Sequence, residues 1–298
     1  MKKIALFLAL ALSSMAVFAQ NLNRSELKQL QNFLAQPAEK HATNAEALKI
    51  TDVKTPASWE GVTITDGRVT AIDWKGKGLA GTLDLSGFKS LAKVDVSRNR
   101  LTGIKLAGDA ALSELNASRN RLSEIDLDGC GQLVKVSLNN NRITEFTLQD
   151  VPFVKNINIA SNLLAALDLQ ASSTLETLNC QSNHLESLTV ADCTALKNLY
   201  CGYNKLTSLT LTGLTSLQNL NIDDNEIANL IVSGLPSLST FICSDNNMKS
   251  LGMRDCKNLI DLVCSYNDLT SLEVSQCPQL LFVDCSYNDL TQLTLSNQ

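Results

Sequence analysis

Ten asparagines stand 21 residues apart with no insertion between them: Asn99, Asn120, Asn141, Asn162, Asn183, Asn204, Asn225, Asn246, Asn267 and Asn288. A fixed period between about 20 and 50 residues constrains a chain more than any local propensity, because it marks a stack of like coils. In the copy Leu196–Leu214, LKNLYCGYNKLTSLTLTGL, the apolar side chains are Leu196, Leu199, Cys201, Leu206, Leu209, Leu211 and Leu214. The alternation through Leu199, Tyr200 and Cys201 has the period of a strand with one buried face. One coil buries little alone, so its neighbours must complete the core. The asparagine falls at the bend after the strand, where backbone amides leave sheet geometry. Its side chain offers an acceptor and two donors, so a column of them bonds to turn backbone along the stack.

The order LxxLxCxxNxLxxLxLxxL resembles the leucine-rich repeat family. Its 21-residue length, with LxxLxLxx trailing the asparagine, is most similar to a bacterial subclass with a nested double motif. The resemblance covers about residues 69–298. It implies a mainly β member of an α/β-class superfamily: a curved right-handed coil with a parallel sheet on its concave face. It leaves the ligand open, because function resides in the site and not in the fold.

Residues 1–19, MKKIALFLALALSSMAVFA, carry Lys2 and Lys3, an apolar run, and Val17 and Ala19 at the cleavage subsites. They read as a secretory signal peptide. No later apolar run is long enough to span a membrane. The expected mature protein is therefore exported: secreted, surface-bound or periplasmic. Residues 20–68 break the period. Asn23 and Glu26 suggest a capping box, and Leu27, Leu30, Phe33 and Leu34 form one apolar stripe. A second short helix is expected over Asn44–Ile50. The stretch SWEGVTITDGRVTAIDW resembles the amino-terminal cap of extracellular leucine-rich repeat proteins, with Trp59 and Trp74 as plugs. Val69, Ile72 and Trp74 then begin one irregular coil, in which Lys77 takes the asparagine place 22 residues before Asn99. Ten regular coils follow. Gln298 falls ten residues after Asn288, so the last coil, with Val283, Cys285 and Leu290, is expected to have an open flank. Weak self-association is the corresponding expectation.

Nine cysteines in an exported chain usually indicate disulfides. Here their positions indicate core packing instead. Cys180, Cys201, Cys243, Cys264 and Cys285 lie three residues before the asparagine. Cys130, Cys193, Cys256 and Cys277 lie ten after it, and every one of the nine replaces a Leu, Ile, Val or Ala of another coil. Catalysis finds no support. His41 and His184 are the two histidines, remote in sequence, and no GxSxG, HExxH or phosphate-binding glycine loop occurs. No metal or cofactor is expected. Removing Lys2 and Lys3 takes the net charge from −5 to −7, which argues against nucleic acid.

What remains is the concave face. The residues just before each asparagine run Arg98, Arg119, Asn140, Ser161, Ser182, Tyr203, Asp224, Asp245, Tyr266 and Tyr287. Those just after it end in Glu226, Asn247, Asp268 and Asp289. With coils roughly 5 Å apart, these columns read as ribbons pointing outward from the strands, basic early and acidic late. Tyr200, Tyr203, Tyr266 and Tyr287, all four tyrosines of the chain, belong to this face. Asn156, Asn158, Asn179, Asn198, Asn219 and Asn221 add hydrogen-bonding capacity. Tyrosine favours interfaces, since it joins a large area to a polar tip. The expected ligand groups are therefore Tyr200, Tyr203, Asp224, Asp245, Tyr266, Asp268, Tyr287, Asp289, Arg98 and Arg119. The reading is an exported, non-enzymatic bacterial recognition protein that binds a protein ligand. The alternatives are a glycan-binding surface protein or a self-associating structural module.

Overall fold

A computed structural model of the chain describes residues 22–148, 151–169 and 172–296; the expected leader lies outside them. The fold is a parallel-sheet β-solenoid of about 11 turns with few helices. Contacts divide it into two compact units. The first runs to Leu133 and takes in Val151; the second holds Val134–Leu148 and the chain from Pro152 onward.

In the first unit, helix α1 (Arg24–Leu34) and the short helix α2 (Asn44–Ala47) precede a hairpin of β1 (Val62–Thr65) and β2 (Arg68–Asp73). β2 starts a parallel run continued by Lys93–Asp95 and Glu114–Asn116. In the second unit a parallel run passes from Lys135–Ser137 through strands such as Asn198–Tyr200 to Phe282–Asp284. The step from β2 to Lys93–Asp95 spans 22 residues, and the later steps within each unit are in register at 21, as in Leu199 against Leu220, because like coils stack without offset. Strands such as Asn198–Tyr200 and Asn219–Asn221 are three residues long and bury the central side chain. The first of these ends one residue earlier than the alternation suggests: Cys201 follows the strand, yet its N–H still pairs with Asn221 O at 2.9 Å. The core is a set of apolar columns. Leu196, Leu199, Cys201, Leu206, Leu209, Leu211 and Leu214 are all buried, at about 1.5–3 kcal/mol for each large side chain.

Residues 22–68 depart from expectation in instructive ways. Asn23 caps α1, accepting from Ser25 N at 3.0 Å and Glu26 N at 3.3 Å. The reciprocal half of the capping box does not form. Asn23 N–H goes to Gly67 O, while Glu26 turns inward to accept from Val69 N at 3.0 Å and Arg68 Nε at 2.8 Å. A buried strand N–H needs an acceptor more than an exposed helix end does. The buried stripe of α1 is accordingly Glu26, Leu30, Phe33 and Leu34, with Leu27 half-buried. α2 stops at Ala47, short of the expected Ile50, and Lys49 turns left-handed after it. Trp59 and Trp74 are both buried, and their indole N–H groups donate to Asp52 O and Glu60 O. Trp74 stacks on Phe33 at 5.8 Å.

Strand β3 (Ala80–Asp84) pairs with Arg100–Lys105 along one edge. Side-chain amides take the place of a strand along the other. Asn44 exchanges two hydrogen bonds with Ala80, at 3.0 and 3.1 Å, and Gln36 exchanges two with Thr82, both at 2.9 Å. An open strand edge invites intermolecular pairing, and these amides close it. Gly81 permits the approach: its φ is +85°, and a Cβ there would lie 2.0 Å from Gln36 Oε1.

Candidate functional site

The asparagine column sets the geometry of everything around it. Asn204 accepts from Leu185 N at 3.0 Å and donates to Cys180 O, Cys201 O and Gly202 O at 3.2, 3.0 and 3.1 Å. Asn120, Asn162, Asn183, Asn225, Asn246, Asn267 and Asn288 make the same four kinds of bond. Each Nδ2 thus joins a carbonyl of its own coil to the equivalent carbonyl of the coil before. Asn99 opens the series, with Oδ1 accepting from both Lys77 N and Leu79 N, and Asn141 donates to Leu138 O.

The column before the asparagines does not lie on the strands. All ten residues from Arg98 to Tyr287 are left-handed, with φ between 50° and 60°. They form the bend itself, and backbone bonds such as Tyr203 N to Asp223 O at 2.8 Å hold them there. The strand-borne, outward residues are the two positions flanking the buried centre, such as Asn198 and Tyr200. Of these, Asn158, Asn179 and Asn221 are already engaged: each accepts from the backbone N–H two residues on, which shapes the bend. Asn219 donates to Asn198 Oδ1 at 2.7 Å and Asn198 to Thr177 Oγ1 at 3.1 Å, so the other column forms an amide chain across three coils. Nearby, a hollow of about 490 Å³ is lined by Gln218, Asn219, Ser239, Asn258, Ile260 and Gln279.

The expected ligand residues fall into two groups, one in each unit. In the first unit Arg98 and Arg119 are exposed at successive bends. Arg100, two residues after Arg98, is instead paired with Glu39. In the second unit Tyr203, Tyr266 and Tyr287 are 53, 49 and 70% exposed at bends, while Tyr200 is half-buried on its strand. Asp224, Asp245, Asp268 and Asp289 are exposed. Tyr266 and Tyr287 stack, ring centroids 4.2 Å apart and planes 11° from parallel, and a hydroxyl–hydroxyl bond raises the Tyr266 pKa.

Asp223 belongs with this group although the columns gave no reason to choose it. Burial raises its pKa, while hydrogen bonds from the Tyr203 hydroxyl and the Asn221 side chain oppose the rise. Its charge in turn raises that of Tyr203. Asp223 Oδ1 is buried without a partner and lies 2.1 Å from where a Cβ on Gly202 would be. The absent side chain at position 202 was the one available signal.

Among the described residues no group of three or more His, Cys, Asp or Glu could hold a metal ion, and no helix is long and apolar enough to cross a membrane. All nine cysteines are free thiols; eight are buried and Cys285 is half-exposed.

No family model and no curated protein matches the chain. Solved structures do. A functional domain of InlJ from Listeria monocytogenes, which includes a cysteine ladder, is 19% identical over 87% of this chain and 69% of its own, with a TM-score of 0.60. YopM, a leucine-rich effector protein from Yersinia pestis, is 26% identical over 69% of this chain and 63% of its own, at 0.56. The leucine-rich repeat ectodomain of the receptor kinase GASSHO1/SCHENGEN3 from Arabidopsis thaliana is 19% identical over 91% of this chain, at 0.61. This chain spans only 44% of that ectodomain.

Proposed function

This chain is a leucine-rich repeat protein with a solenoid of about 21-residue turns, and from that premise we propose that it is an exported, non-enzymatic recognition protein whose sheet-and-bend face binds a protein ligand. The observation that carries the reading is the set of exposed tyrosines, Tyr203, Tyr266 and Tyr287, at bends of one column. Core packing gives no reason for aromatic rings there, and left-handed backbone disfavours them. Desolvating rings of this kind is a common source of binding energy at protein interfaces. The Arabidopsis ectodomain, whose structure holds CASPARIAN STRIP INTEGRITY FACTOR 2, lends the reading support by fold. Residues 1–19 supply the argument for export.

The test places a photo-crosslinking residue at Tyr203 and, as a control, at Ile231, which is 83% exposed on a strand outside the long sheet. The protein is then irradiated with bacterial envelope and host-surface extracts. Protein adducts of one defined mass from position 203 alone are expected. Adducts of equal yield from both positions would refute the reading.

The amide chain Thr177–Asn198–Asn219 and its neighbouring hollow favour glycan binding as the second reading; an array of soluble oligosaccharides tests it. Exposure of Leu281 and Phe282, at 85 and 52%, favours self-association as a third. Sedimentation at micromolar concentration tests that one.

A further inference from the structure

The bend columns of the second unit are unbalanced in charge. From the coil of Asn204 to that of Asn288 they hold Asp223, Asp224, Glu226, Asp245, Asp268 and Asp289, against the single cation Lys205. None of the six makes an ion pair among the described residues. Outside the bends, one set of charges in the same unit is neutralised: Glu176 sits between Lys155 and Lys197, at 3.1 and 2.8 Å. At coil spacings near 5 Å, unscreened like charges repel one another and lower the stability of the stack. A solvated surface has no need of that arrangement, nor of the stacked Tyr266 and Tyr287 rings set within it.

Resting on the protein-binding reading, we propose that this face captures a cationic polypeptide segment, with arginine side chains stacked on Tyr266 and Tyr287 and paired with Asp245, Asp268 and Asp289. A guanidinium is planar, weakly hydrated and forked, so it takes a ring face and a carboxylate together. A neutral glycan would use the rings and leave the six carboxylates unanswered. Five coils span roughly 19 Å, the length of about six extended residues, so the segment is short and runs along the column.

The probe is a fluorescent octapeptide of alternating arginine and glycine, followed by anisotropy against the mature chain. Lysine, glutamate and serine counterparts serve for comparison. The arginine peptide should bind best, the lysine peptide more weakly, and the other two not measurably. Binding should weaken as salt rises. The double variant Tyr266→Leu/Tyr287→Leu keeps the net charge and should weaken binding roughly five- to twenty-fold. Tyr266→Phe/Tyr287→Phe keeps the rings and should bind nearly as the parent does. The triple variant Asp245→Asn/Asp268→Asn/Asp289→Asn should abolish most of the salt dependence.

If the leucine variant binds like the parent, only diffuse charge is at work and the proposal fails. It also fails if a neutral oligosaccharide binds in a tyrosine-dependent way. Should the peptides fail while crosslinking at Tyr203 still traps a protein, the cationic assignment falls and the protein-binding reading survives.

Discussion

Replacing Asn183 by alanine tests the asparagine column at the level of single atoms. The side chain is 5% exposed. It accepts from Leu164 N at 3.1 Å and donates to Ile159 O, Cys180 O and Gln181 O at 3.1, 3.0 and 3.3 Å. Adding four bonds would overstate the loss, because each carbonyl has a second donor. Ile159 O keeps Asn162, Cys180 O keeps Asn204, and Gln181 O keeps Ser161 N. Only the buried Leu164 N–H is left with nothing. One orphaned amide costs about 1–3 kcal/mol, so Asn183→Ala should destabilise by that amount. Asn288 makes the same bonds but is half-buried, and its contact with Leu269 N is only part-buried. Water then replaces the lost partner, and Asn288→Ala should cost under about 1 kcal/mol.

Asn183→Asp separates the donors from the acceptor. A carboxylate still serves Leu164 N but sets negative charge against three carbonyl oxygens. At neutral pH it should therefore be worse than alanine. The buried carboxyl's pKa would be raised in the fold, so stability should recover at low pH and be lost as pH rises through that folded pKa. Urea melts, with amide exchange read at Leu164, measure all three variants. Equal losses at 183 and 288, or an aspartate variant milder than alanine at neutral pH, would falsify the argument.

Three other outcomes are expected. Asp109 is buried in a column that is otherwise mainly Cys, Leu and Val, with one oxygen unpartnered; burial lifts its pKa from 3.8 to about 7. Its contribution is thus full at low pH and lost as pH rises from about 4 through 7, and Asp109→Asn should flatten the urea midpoint over that range. Gln276 is left-handed at φ 57°, where Gly213 and Gly234 serve other coils. Gln276→Gly relieves about 1–2 kcal/mol of backbone strain against about 0.5–1 of added unfolded-state entropy, so a calorimetric Tm should rise slightly. Burial pushes the thiols of Cys130, Cys180, Cys256 and Cys264 up to about 12. Native alkylation read by mass spectrometry should therefore label Cys285 first and the rest only on denaturation.

The sequence by itself determined the repeating part of this protein. A strict 21-residue register leaves one way to align the coils, so the buried columns, the placement of the cysteines and the shared bonds of the asparagines follow from spacing and side-chain chemistry. The resemblance to an amino-terminal cap likewise singled out Trp59 and Trp74, which are both buried. What breaks the repeat was not legible, because it depends on contacts between residues far apart in the chain. Glu26 abandons its own helix for Val69 N, Asn44 and Gln36 stand in for a strand beside β3, and Arg100 joins Glu39. Nor could spacing reveal that the column from Arg98 to Tyr287 is left-handed, since Arg, Ser and Tyr carry no preference for that backbone; only Asn140, Asp224 and Asp245 hinted at it. The period announced that Tyr266 and Tyr287 share a column. Tertiary structure alone decided that the two outward rings stack 4.2 Å apart, because ring orientation is set by the neighbouring coil and not by position in the repeat.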